Sequence, residues 1–235
     1  MPVWRRRKAE EVAKDVYLVG GPGYTDFEDC LVYAVNCGKA VALIDCGAGR
    51  SVKQIEGNMK SVGLNPAALE ALLITHLHID HVGGAAYFRE RYGVKVYMHE
   101  LDAPVLEQGD RVKSAAYAYG VSLKPCVVDV KLRGGGGEIR VGNKVFEWVH
   151  TPGHTPGSIS ILLSTNGERV LFAQDAHGPF SEEWGSNLSQ WADSVRKLLK
   201  ENFTVLAEGH YGVFSREEGL RYLRDLLRQH GFSAP

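Results

Sequence analysis

The chain has 235 residues, 44% of them hydrophobic, enough for a sizeable buried core. Its 27 basic and 28 acidic residues give a net charge of -1, so no overall field favours a nucleic acid or an anionic membrane. Charged and polar residues from Lys8 to Asp15 stand where a signal peptide needs its apolar core, and no apolar run nears the roughly 20 residues that span a bilayer, which predicts a soluble, cytoplasmic protein.

After this polar start, Val16 to Val19, Cys30 to Asn36 and Ala40 to Ile44 read as strands, with Gly38-Lys39 as a hairpin turn. A helix is expected over Val52 to Val62, capped by Ser51 and stopped by Gly63, before Asn65-Pro66 turns the chain. Leu69 to Ile74 is a strand that runs straight into Thr75-His76-Leu77-His78-Ile79-Asp80-His81. Gly83 to Tyr92 reads as a helix closed by Gly93, and Val94 to Met98 as a buried strand. Leu101 to Lys124 lacks alternation and is expected to be an insertion or lid. Strands return at Val127 to Leu132, Lys144 to Val149, Ser158 to Leu163 and Arg169 to Phe172, with Gly134 to Gly137 and Asn166-Gly167 as turns. Leu188 to Lys200 and Ser215 to His230 carry helical spacing. Two strand-rich halves with helices predict two sheets packed face to face in a single domain over 1–235. The four cysteines form no CxxC pair and read as buried thiols, with one disulfide left open.

The chemistry is concentrated in six residues. His76, His78, Asp80 and His81 offer three imidazoles and a carboxylate, the donors that bind zinc and other first-row divalent ions. His76 and His78 alternate as at a strand end, and Asp80-His81 is expected to turn back through a loop, so the run can face two adjacent ions. His154 in Thr151-Pro152-Gly153-His154-Thr155-Pro156-Gly157, Asp175, and His210 in Glu208-Gly209-His210 each follow an apolar strand.

These residues and their order resemble the metallo-β-lactamase fold superfamily, in its glyoxalase II-like and lactonase-like binuclear branch; Leu43-Ile44-Asp45-Cys46-Gly47 is similar to its upstream aspartate motif. The resemblance implies an αββα sandwich, an α/β fold of two mixed sheets, with the site at one edge. It assigns His76, His78 and His154 to one metal, Asp80, His81 and His210 to the other, and Asp175 as the bridge. Two divalent ions, zinc first with iron, manganese or nickel as alternatives, lower the pKa of a shared water and so supply a bridging hydroxide. Asp80 or a metal-bound water is the candidate proton donor, Asp45 an orienting group, and Tyr211 a phenol able to donate to a developing oxyanion.

His99 and His150 read as buried hydrogen-bonded groups, and His177 is open between a loop and a substrate-facing role. Tyr24, Phe27, Phe180 and Trp184 are candidate walls of an apolar pocket. The reaction expected first is hydrolysis of a small thioester, lactone or carboxylic ester. Hydrolysis of a small phosphodiester or phosphotriester and iron-dependent oxidation of a persulfide are the alternatives. The 25 residues after His210 are too few for the C-terminal helical module of glyoxalase II enzymes, which argues against that strict assignment. The expected partner is a small molecule, with no nucleic acid and no membrane, and a homodimer stays open.

Overall fold

The computed structural model describes residues 7–173 and 175–235; Arg5 and Arg6 lie outside them. Its first sheet is β1 (Glu10–Ala13), β2 (Val16–Gly20), β3 (Val32–Cys37), β4 (Ala40–Ile44), β5 (Leu69–Leu73), β6 (Lys95–His99) and β7 (Val130–Leu132), in that spatial order. β1 to β4 form an antiparallel meander, and β4 to β7 are parallel. Parallel neighbours need crossovers, and α1 (Val52–Ser61), α2 (Ile79–Val82), α3 (Ala85–Tyr92) and α4 (Ala103–Gln108) lie in those connections. The second sheet holds β8 (Gly136–Val141), β9 (Lys144–His150), β10 (Ile159–Thr165), β11 (Glu168–Phe172), β12 (Val205–Ala207) and β13 (Val213–Ser215), in reverse spatial order, with α5 (Leu188–Leu198) and α6 (Arg216–Gln229).

Alternation within strands builds the αββα layers. In β3, Val32 and Ala34 meet Ile55, Met59 and Phe88 of the outer helices, whereas Tyr33 and Val35 enter the space between the sheets. In β11, Leu171 faces Trp191 and Leu223 of the helices, and Val170 and Phe172 face inward. Tyr33 and Phe172 meet edge to face with ring centroids 5.4 Å apart, joining the sheets at the centre. Because both faces are covered, the central strands are apolar throughout rather than half polar; β4 is buried at every residue.

The structure departs from expectation in several places. Gly136 and Gly137 belong to strand β8, and the chain reverses at Gly142-Asn143 instead. Gly137 pairs across the sheet with Trp148, whose indole nitrogen would lie 3.0 Å from a Cβ there, so the glycine makes room for the tryptophan. Asp80 and His81 sit in the single turn of α2, not in a loop, and α3 begins only at Ala85. The Ser51 hydroxyl does not cap α1; it donates to the buried Asp29 carboxylate. The short strands β1, β12 and β13 were not expected. Within 101–124, Ala103, Val105, Leu106, Ala116 and Leu123 are buried in the same core as α1 and α3. All four cysteines are free and buried. No helix among the described residues is long and apolar enough to cross a membrane.

Candidate metal centre

The site forms where both sheets end. β4 delivers Asp45 in the left-handed conformation, φ 58°, with its side chain fully buried. Its Oδ1 accepts from the Thr75 backbone N–H at 2.8 Å, and its Oδ2 accepts from the Thr75 hydroxyl at 2.8 Å and lies 2.7 Å from His81 Nδ1. One carboxylate thus pins the start of the histidine run and fixes its last ring, leaving the His81 Nε2 lone pair to face the site. The Thr75 hydroxyl proton is committed to Asp45, so His76 Nδ1, 3.1 Å from that oxygen, is the donor of the pair and His76 Nε2 carries the free lone pair.

The loop after β9 brings His154 from the other sheet. Asp102, which precedes α4, staples this loop to the histidine run: its carboxylate accepts from Leu77 N–H at 3.1 Å, Gly157 N–H at 2.7 Å and Thr155 Oγ1 at 2.6 Å. Burial pushes the Asp102 carboxyl up to about 7, against the pull of those three donors. Gly153, at φ 132°, lets the same loop pass Trp191 in α5, where a Cβ would lie 2.2 Å from a backbone nitrogen. After β11, Asp175 adopts φ 44° and turns between the two groups of rings.

Two sets of donor atoms result. His76, His78, His154 and Asp175 form one, and Asp80, His81, Asp175 and His210 the other; within each set the donor atoms lie within 4.8 Å of one another. In the first, His78 Nδ1 is 3.2 Å from His76 Nε2 and 2.8 Å from His154 Nε2. Asp175 Oδ2 is 3.7 Å from His76 Nε2 and 3.5 Å from His154 Nε2. In the second, Asp175 Oδ1 is 3.2 Å from both His81 Nε2 and His210 Nε2, and Asp80 Oδ2 is 3.2 Å from His210 Nε2. All seven residues chosen from the sequence therefore meet in one place.

The donor chemistry fits two cations. Burial first, and then the neighbouring rings, hold His76 well below the usual imidazole range; burial and the His78 ring take His154 down to about 3, and burial, with the neighbouring His81 and His210 rings, does the same for His78. Rings held this far down are neutral, so each keeps one lone pair that it can offer to a cation. In the second set burial also opposes protonation, yet Asp175 and Asp80 raise His210 to about 10, and Cys30 with Asp175, Asp80 and Asp45 raises His81 well above its ordinary value. The carboxylates thus place a negative potential that calls for positive charge between these rings. His81 Nε2 is buried without a hydrogen-bond partner among the described residues.

Other residues support the rings. Trp184 packs edge to face on His78 at 4.7 Å, and Phe180 on His154 at 6.1 Å. Tyr24 and Phe27 instead border cavities that reach His210. His99 and His150 stack across the two sheets at 4.1 Å and donate nothing to the site; their Nε2 atoms face the Gly134 and Pro156 carbonyls. Tyr211 is 65% exposed, with its ring 4.7 Å from His177.

Three further residues at the site stand outside the ligand motifs of the sequence. Glu208 is fully buried, accepts from the backbone N–H groups of His210 at 2.7 Å and Tyr211 at 2.9 Å, and lies 2.7 Å from His177 Nδ1. Asp102 is the second. Tyr119, within 101–124, is the third: it lies against Asp80, and burial with that carboxylate pushes its phenol up. Only Glu208 carried a signal, its place two residues before His210.

Two adjacent His/Asp donor sets at the edge of an αββα sandwich form the kind of site on which metallo-hydrolases work. The family model described as the metallo-beta-lactamase superfamily matches residues 25–210. The chain belongs to that superfamily and is a metallo-hydrolase of it. It is 34% identical over 194 residues to an uncharacterised protein of Aquifex aeolicus, covering 76% of this chain and 85% of that one. It is 26% identical over 228 residues to the acyl-coenzyme A thioesterase MBLAC2 of Gallus gallus, covering 85% and 79%. The metallo-beta-lactamase GOB-18 from Elizabethkingia meningoseptica superposes with a TM-score of 0.80 at 26% identity, covering 98% of this chain and 94% of that one.

Proposed function

We propose that this enzyme hydrolyses a small ester-like substrate, a thioester first among thioesters, lactones and carboxylic esters. The observation that carries the reading is the shared Asp175, whose Oδ2 faces His76 and His154 while its Oδ1 faces His81 and His210. The two donor sets would hold two divalent cations, zinc being the choice their imidazoles and carboxylates suit best. When bound, such a pair makes water acidic enough to act as a nucleophile near neutral pH and polarises the attacked carbonyl.

The chain's own residues do the rest. Asp45 orients His81, Asp102 holds the His78 and His154 loops in register, and Asp80, beside His210, is placed to accept the proton of the attacking water and return it to the leaving atom. Tyr211 is available at the rim as a donor to the substrate oxygen. The thioester preference is supported by the 26% identity to an acyl-coenzyme A thioesterase.

Elemental analysis of purified protein, followed by a substrate panel on the same sample, tests this. The expected result is two divalent ions per chain and ester or thioester turnover that a chelator removes and zinc restores. Iron with oxygen uptake on a persulfide, or turnover confined to phosphoesters, would overturn it.

A further inference from the structure

Six of the seven residues around the site are buried, whereas the His210 side chain keeps 27% of its surface exposed. Substrate must therefore approach over His210. Two cavities have His210 in their walls. One, of about 300 Å³, is bounded by Phe27, Glu28, Ala118, Tyr119 and His210. The other, of about 470 Å³, has Arg7, Glu10, Glu11, Tyr24 and Tyr211 in its walls, again with His210.

The cavities differ in chemistry. In the smaller one the single carboxylate, Glu28, is paired with Arg50, which also donates to the Tyr119 carbonyl at 3.0 Å. That pairing consumes the charge and ties the Tyr119 segment to the Phe27 loop, leaving two aromatic side chains as the working surface. Phe27 is 82% exposed, an apolar ring held in water beside a metal centre. The larger cavity presents a guanidinium and two carboxylates on β1 and the residues before it.

We propose that the substrate lies across His210 with its acyl chain between Phe27 and Tyr119 and its polar leaving group in the Arg7, Glu10 and Glu11 cavity. The substrate class is then a thioester or ester of an aliphatic or aromatic acid of medium length on a charged, water-soluble thiol or alcohol. The reverse orientation would strip water from a charged leaving group against two aromatic rings and set the acyl chain among carboxylates. Hydrolysis in this pose breaks the bond from acyl carbon to sulfur or oxygen, forms one from that carbon to the water oxygen, and sends one water proton to the leaving atom.

This inference rests on the esterase reading above, and its test separates the two. The probes are acetyl, butyryl and octanoyl thioesters of one thiol that carries both an amine and a carboxylate, and the uncleavable S-octyl and S-ethyl thioethers of the same thiol, whose binding is followed by calorimetry with and without zinc. In the unaltered enzyme kcat/KM should rise at least tenfold from acetyl to octanoyl, and the S-octyl thioether should bind at least tenfold more tightly than the S-ethyl one. Phe27→Ser should remove both preferences, Phe27→Leu should restore most of them, and Val127→Ser, at an exposed apolar position outside both cavities, should leave them intact. Chain-length preference that survives Phe27→Ser, or that is absent from the start, overturns the assignment. Selective S-octyl binding without turnover of any thioester would instead overturn the hydrolytic reading and leave the cavity assignment standing.

Discussion

At the scale of single residues, Asp45 ties together the two ends of the histidine run. It accepts from Thr75 twice and faces His81 Nδ1 at 2.7 Å, so the direction of two ligand rings follows from one carboxylate. Asp45→Asn keeps the volume but cannot accept from all these donors. The expected result is a 10- to 100-fold loss of affinity for the cation on the His81 side, read by competition with a chromogenic chelator, with the His76, His78 and His154 side less affected. Equal affinity in the variant would remove Asp45 from the orienting role. The seven residues that converge were legible in the sequence, the His76 to His81 run by its spacing and His154, Asp175 and His210 by the family resemblance. Glu208, Asp102 and Tyr119 were not, because a buried carboxylate or phenol is recognised by what surrounds it, and those partners are far away in the chain: Asp102 bonds residues 25 and 55 positions distant.

At the scale of elements, the ligand loops are shaped by what packs beneath them. Gly153 passes so close to the start of α5 that Gly153→Ala would press a methyl group into the Trp191 backbone and force a strained φ as well. The variant should lose roughly 2–5 kcal/mol in chemical denaturation and bind metal poorly on the His154 side. Unchanged stability would mean that the loop and α5 move apart freely. The apolar runs of β3, β4, β10 and β11 were readable as strands because they are covered on both faces. By contrast, β12 and β13, three residues each, are too short to show a period, and the glycines of β8 look like a turn until Trp148 is seen opposite them. The expected loop at Asp80-His81 proved helical for a similar reason, since four residues cannot display a helical pattern.

For the whole molecule, the stacked pair of His99 from the first sheet and His150 from the second couples the sheets to pH. Burial and the neighbouring His150 lower the His99 pKa below its unfolded value, so between that value and its folded one the unfolded chain binds more protons, and stability falls as pH drops through 6.5. His99→Gln removes the titration. In zinc-loaded protein the melting temperature should decline less from pH 6.5 to 5 in this variant than in the unaltered chain. Parallel declines would show that the pair does not contribute to acid sensitivity.

The donor sets also have a consequence in time. His76 and His78 emerge with the first sheet, His154 and Asp175 with the second, and His210 only when β12 has been made, so each set remains incomplete until distant segments have met. During synthesis the first set can be completed only once Asp175 has left the ribosome and met the histidine run, and the second only when residue 210 has followed. Tight capture of two ions would then mark the moment at which the fold is finished.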